Sequence, residues 1–202
     1  MKHGKSSQIV PVILIVIIVV VSVAAIVALT KTLFFNDGDN QTIERQNADV
    51  AALLDTAADR GVRMTVRGNI TADEQFRSYQ ITITPNKRTM TTYAGYLDSP
   101  IDTVQYDNNV KAYTEFVYAL NRANMVAGEQ LQGDEDDTRG ICADGKVLEF
   151  ETIQNSQTVK RLWTTTCKNA KGSLKASSNE LGDLFLIQIP SGDDLLKKIN
   201  KS

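Results

Sequence analysis

The sequence predicts an α+β domain: an antiparallel sheet of about five strands packed by helices on one side, preceded by a transmembrane helix and closed by one disulfide. Three observations predict it. A long uncharged run occupies the N-terminus, period-two and helical-period patterns alternate after it, and the chain's two cysteines both lie late.

The run "IVPVILIVIIVVVSVAAIVAL", Ile9 to Leu29, holds 21 residues without a charge. At about 1.5 Å per residue, a helix of that length spans a hydrocarbon core of roughly 30 Å. Pro11 falls in its first turn, where a missing N–H costs little. A cleaved signal peptide needs an apolar region of only about 7–15 residues, so the length favours a permanent anchor. Lys2 and Lys5 precede the run, while Asp37, Asp39 and Glu44 follow Lys31 beyond it. The positive-inside rule then places 1–8 in the cytoplasm, 9–30 in the membrane, and the linker 31–40 and the α+β domain 41–202 outside. Setting aside Lys2, Lys5 and Lys31 leaves 19 basic residues against 24 acidic ones, a net charge of −5. That balance argues against a nucleic-acid partner, which requires a basic footprint.

After the linker, "TIERQNADVAALLDTAADRG" sets Ile43, Val50, Leu54 and Ala57 on one helical stripe, with Gly61 as the stop. "VRMTVR" alternates Val62, Met64 and Val66 against Arg63, Thr65 and Arg67, and "SYQITIT" alternates Tyr79, Ile81 and Ile83 against polar neighbours. Both read as half-buried antiparallel strands. "TPNK" has the composition of a turn and leads into a Thr-rich third strand, "RTMTTYAGY", completing a three-stranded meander. "DSPID" then supplies Ser99 as an N-cap, Pro100 at the first helical position and Asp102 three residues after the cap, which predicts a helical start. Val110, Tyr113, Phe116, Val117 and Leu120 recur at helical spacing behind the capping candidates Asp107 and Asn108. Near the C-terminus, Ser177 and Glu180 form a capping-box pair, and "LGDLFLIQI" reads as a helix halting before Pro190 over a competing strand reading. A short final helix carries Leu195, Leu196 and Ile199.

Outside the membrane, oxidising conditions favour pairing of Cys142 with Cys167. A two-residue turn at Gln154 and Asn155 sets Glu149 opposite Lys160, Val147 opposite Leu162, Phe150 opposite Val159 and Lys146 opposite Trp163. The same register faces Cys142 with Cys167 and gathers Leu148, Phe150, Val159, Trp163 and both cysteines on one face. A nucleophilic or metal-binding role for either cysteine lacks its usual companion, because the single histidine, His3, precedes the span.

Candidate sites are sparse. The run Asp134, Glu135, Asp136 and Asp137 lacks the ligand spacing of a calcium loop and reads as a solvated acidic loop. Arg63, Arg67 and Arg77 form a candidate basic patch for an anionic glycopolymer of the envelope, with Tyr93 and Tyr96 as aromatic candidates for the same binding surface. No G-x-S-x-G, phosphate-binding loop or H-E-x-x-H occurs, and adjacent acids such as Asp73 and Glu74 lie on a loop. Neither a catalytic residue, a cofactor site nor a metal site is expected.

The order of hydrophobic helix, amphipathic continuation, sheet and late disulfide resembles the architecture of type IV pilins and pseudopilins. The processing motif differs: Gly4 is followed by Lys5, and position 9 is Ile. The segments "VRMTVRG", "FRSYQITI", "YAGY", "NNVKAYTEFVYALNRA" and "LWTTTC" resemble uncharacterised single-span surface proteins of ultrasmall, Saccharibacteria-type bacteria, a likeness covering most of residues 40 to 190. That family implies no activity and supplies no functional residues. The expected role is a membrane-anchored, extracytoplasmic, non-catalytic module for cell-envelope structure, adhesion or binding of an envelope protein. A pilin-like filament subunit and a carboxylate-only envelope hydrolase are the alternatives.

Overall fold

A computed structural model describes residues 17–25, 37–97, 99–170 and 172–199. The chain divides into two units, Met1–Arg45 and Gln46–Ser202. In the first, residues 17–25 are helical and exposed (α1), and the Ser22 hydroxyl donates to the Ile18 carbonyl at 2.8 Å. Among the described residues no helix is long and apolar enough to cross a membrane; the rest of the predicted span 9–30 lies outside them. Helix α2, Asp37–Leu54, begins four residues inside the segment predicted as linker. An acidic polar juncture suits a helix N-terminus as well as it suits a loop.

The second unit is α+β, as predicted, with six antiparallel strands: β1 (Arg60–Arg67), β2 (Arg77–Ile83), β3 (Lys87–Ala94), β4 (Ser99–Asp107), β5 (Val147–Gln154) and β6 (Gln157–Thr165). Their order in the sheet is β4-β3-β2-β1-β5-β6. A four-stranded meander therefore comes first. The chain then crosses over through α3 (Val110–Arg122) and returns β5 to the free side of β1.

Alternation decides which face is buried. Val62 pairs with Ile83, Met64 with Ile81 and Val66 with Tyr79, while across β1 Met64 also meets Phe150. These residues join the helices in one core. From α3 come Tyr113, Phe116, Val117 and Leu120, and from α4 (Ser178–Leu186) come Leu181 and Phe185. The Phe185 ring meets Phe116 edge-on at 5.4 Å and lies 6.1 Å from Phe150. Burying such a ring contributes about 1.5–3 kcal/mol. Leu195 of α5 (Gly192–Ile199) and Leu53 of α2 complete the cluster. The side-chain carboxamide of Asn109 caps α3 by accepting from the Ala112 N–H at 2.9 Å, one residue beyond the predicted caps. Ser177 caps α4 as predicted, and Ile187, 76% exposed, lies past its end, so the helix reading of this segment holds over the strand reading.

Three expectations are corrected. "DSPID" does not start a helix; Ser99–Asp107 is an edge strand. Proline is tolerated there because an edge has no second neighbour requiring its N–H, and Pro100 pairs with Tyr93 beside a register shift at Thr92/Tyr93. Helix α2 stops at Leu54, before Gly61. Its stop is Asp55, whose carboxylate accepts from the Ala57 N–H at 3.0 Å and from Arg60 at 2.8 Å, while Gly61 belongs to β1. Ile43, on the predicted core stripe, is exposed.

The β5–β6 hairpin departs furthest from expectation. Its turn residues are Asn155 and Ser156, at φ 51° and 66°, a primed turn needing positive φ at both centres. Asparagine tolerates that region better than glutamine, which moves the turn one residue from the predicted Gln154 and Asn155. A further shift at Thr152/Ile153 sets Phe150 opposite Leu162, Glu149 opposite Trp163 and Thr152 opposite Lys160. Trp163 thus faces away from Leu148 and Phe150, and Val159 is exposed. Cys142 and Cys167 are nevertheless bonded, with Cα atoms 5.6 Å apart. Both lie beyond the strand ends, so the loops rather than the ladder bring them together.

Candidate functional site

The face of the sheet away from the helices carries an ion cluster on β1, β5 and β6. Glu149, 4% exposed, lies 3.2 Å from both Arg67 Nε and Arg161 Nη2 and accepts from Thr138 Oγ1 at 3.3 Å. Glu151 lies 3.4 Å from Arg63 and accepts from Thr158 Oγ1 at 2.7 Å. Asp136 closes the cluster, 2.8 Å from Arg161 and accepting from the Trp163 indole N–H at 3.1 Å. Burial alone would lower the pKa of Arg161, but pairing with Glu149 and Asp136 outweighs it and raises the guanidinium above its ordinary value.

Three arginines and three carboxylates therefore compensate one another, and the acidic loop gains a structural account. Asp136, in the 3-10 turn Gly133–Asp136, pins the loop over β6. Asp134 and Glu135 remain exposed, and Asp137 pairs locally with Arg139, whose hydrogen bonds hold that carboxyl down at about 2. The period-two patterns "VRMTVR" and "LEFETI" hold the signal for this cluster, since each places like charges on one face; the pairing of β1 with β5 was the missing link.

The five residues predicted as one binding surface are dispersed. Arg63, Arg67 and Tyr93 share the open face, where both arginines are neutralised. Arg77 aligns with Tyr79 on the helix side, and its guanidinium donates to the Glu74 and Phe76 carbonyls at 2.6 and 3.1 Å. Tyr96, 42% exposed, stacks on Phe76 at 3.9 Å and donates to the Thr71 carbonyl at 3.0 Å. The basic patch expected on the outward face is thus absent from the described residues.

Among the described residues, the grouping with metal-ligand chemistry is Cys142, Asp144 and Cys167, and the disulfide uses both sulfurs. Gly145 is required beside them: a Cβ there would meet Thr166 Oγ1 at 2.4 Å and Cys142 Sγ at 2.8 Å.

A concave site does exist, on the helix side, where β1 ends and β2 begins. This cleft of about 350 Å³ has walls of Val66, Tyr79, Leu196 and Ile199. Asn69, Gln75, Arg77 and Lys146 supply its polar lining, and Gly68 passes so close that a Cβ would lie 2.7 Å from the Arg77 carbonyl. Sequence alternation does place Arg77 and Tyr79 on one face. Val66, Gly68, Asn69 and Gln75 come from the same β1–β2 stretch, and only Lys146, Leu196 and Ile199 come from far along the chain.

Burial pushes the Tyr79 phenol up to about 12 and raises that of Tyr113 as well, with Asp55 adding to the latter. Both groups stay neutral in the folded chain after an unfolded tyrosine, near 10, has ionised. Their contribution to stability is complete below pH of about 10 and is lost as pH rises through the folded values. Alkaline titration of phenolate absorbance should show a late phase, which Tyr79→Phe reduces. A single phase near pH 10 would contradict this placement.

Scanned against protein-family models the chain finds no match, and a search of curated proteins also returns none.

Proposed function

We propose that the chain is a non-catalytic binding module held on the outer side of the cell membrane by one N-terminal span, residues 9–30, with its N-terminus in the cytoplasm. The observation that carries this reading is the Cys142–Cys167 disulfide, which joins two loops of the second unit. Such bonds persist in oxidising compartments and are rare where glutathione keeps thiols reduced. The uncharged run from Ile9 to Leu29 supplies an anchor of matching length. Binding rather than catalysis is supported by the state of the acids: Glu149 and Glu151 are buried and answered by arginines, which suits structural carboxylates better than a hydrolytic pair. Its role in envelope structure, adhesion or partner capture then falls to surfaces such as the cleft.

Protease applied to intact cells tests the topology. Digestion of the C-terminal domain without lysis, with 1–8 protected, is the expected result; protection of the whole chain until lysis defeats the reading. Hydrolysis of glycan or peptide by the purified chain, lost on substituting a carboxylate, would defeat its non-catalytic part.

A further inference from the structure

We infer that the outer margin of β4 is a self-association edge, along which two copies of the chain pair β4 with β4, antiparallel, with Val104 on the two-fold axis. Such pairing needs neither a membrane anchor nor a ligand, so it goes beyond the binding-module reading and stands apart from it.

The main chain fixes which groups are offered. The Asn108 N–H donates to the Asn86 carbonyl at 2.9 Å, and the ladder between β3 and β4 continues from that pair with Lys87 facing Asp107. Hydrogen-bonded and non-hydrogen-bonded pairs alternate along an antiparallel ladder. Asp102, Val104 and Tyr106 therefore direct their N–H and C=O groups at β3, while Thr103, Gln105 and Asp107 direct theirs outward. These last three residues are exposed, and no strand lies beyond them among the described residues. Folded proteins usually guard such an edge, and both ends of this one are guarded. Pro100 has no N–H and sits at the register shift, where Ile101 has no partner on β3. At the other end the Asp107 carbonyl accepts from Arg88 Nε and Nη2 at 3.2 and 3.0 Å. Between them, Thr103 to Gln105 holds no proline, no lysine and no bulge.

The complement of this window is the same window in a second copy. Strand β6 cannot serve, because the main chains of Arg161 and Trp163 are already bonded to Gln130, Ser173 and Leu174. One register uses everything that is offered. With Val104 facing Val104, Thr103 of each copy exchanges both main-chain bonds with Gln105 of the other, and every open group of the window is satisfied. Moving the axis to Thr103 would set Gln105 against Ile101, at the bulge, and moving it to Gln105 would set Thr103 against Asp107, whose carbonyl Arg88 already holds. The side chains agree with the main chain. Val104, half-buried against the core, meets its twin at the spacing of about 4.5 Å between Cα atoms of a non-hydrogen-bonded pair. Asp102 faces Tyr106 of the second copy and Asp107 faces its Ile101, so no carboxylate opposes another. Asp102 also keeps its own cation, Lys198, at 2.7 Å.

Light scattering on the full chain in mild detergent, with the detergent mass subtracted, tests the pairing. The protein mass should be twice 22.2 kDa. Thr103→Pro should halve it, because proline removes an outward N–H and leaves the bonds to β3 in place; a cooperative thermal transition shows that the variant is folded. Cross-linking tests the register and needs no proline. Val104→Cys should oxidise to a covalent pair, since its Cα atoms lie within disulfide reach across the axis, whereas Thr103→Cys should not, because Thr103 faces Gln105 rather than itself. A mass of one chain at every concentration, an undiminished mass in folded Thr103→Pro, or cross-linking of Thr103→Cys equal to that of Val104→Cys would each overturn the inference.

Discussion

Replacing Glu149 by alanine is expected to destabilise the domain by about 3–5 kcal/mol, the cost of removing one partner from a buried ion cluster. The carboxylate is nearly inaccessible and is shared by Arg67 and Arg161. Without it, the partly buried guanidiniums of Arg67 and Arg161 remain with a single compensating carboxylate, Asp136, on Arg161. For a chain of this size the midpoint of thermal unfolding should fall by roughly 10 °C. Changing Glu149 and Arg67 together, to Leu and Met, should recover much of the loss, because an apolar replacement of a whole buried pair is often neutral. A single variant that unfolds at the parental temperature would show that the cluster is solvated and carries little energy.

Removing the disulfide should have the next largest effect. Cys142 and Cys167 are 25 positions apart in sequence, and closing a loop of that length in the unfolded chain is worth about 3–4 kcal/mol in the chain-entropy description. A Cys142→Ser/Cys167→Ser double variant should therefore lose that amount in denaturant unfolding, and dithiothreitol should bring the parent to the same midpoint while leaving the variant unmoved. Intact mass of the unreduced chain provides a direct check, since two free thiols would contradict the bond. No loss of stability in the variant would mean that the segments around Gly145 are held by their other contacts, such as the Thr166 N–H to Lys146 carbonyl bond at 2.9 Å.

Much of the sheet was legible because its inner strands obey one rule. Val62, Met64 and Val66, and Tyr79, Ile81 and Ile83, alternate without interruption, and both triplets face the helices. Helix α3 was equally plain, four buried residues at helical spacing behind an amide cap. Strand β4 was misread because its signals are local and shared: Ser-Pro followed by an acid opens helices, yet an edge strand accepts the same residues when the neighbour is β3. The hairpin shows how a correct contact can follow from an imperfect register. A shifted turn and an interior irregularity move every facing pair, but the cysteines lie past the ladder, where loop residues absorb the difference. The open-face cluster and the cleft were beyond reach for a different reason. The cluster forms only after β5 returns to β1, and the cleft gains Lys146 by the same crossover and Leu196 and Ile199 from α5, approaches that no local pattern encodes.

The two margins of the sheet are treated very differently. Along β6 the chain has covered its own edge: the Leu174 N–H donates to the Trp163 carbonyl at 3.0 Å, the Trp163 N–H to Ser173 Oγ at 3.0 Å, and the Arg161 N–H to Gln130 Oε1 at 3.0 Å. Two glycines make the approach feasible, since a Cβ on Gly172 would lie 1.9 Å from the Trp163 carbonyl and one on Gly128 2.1 Å from that of Ser173. At the other margin β4 has no strand beyond it among the described residues. A sheet closed on one side and open on the other can be extended once. Two copies joining β4 to β4 would use up both open margins in a closed pair. End-to-end growth of a continuous cross-strand fibre would have to displace the covering segments first, so the two glycines also cap how far this sheet can propagate.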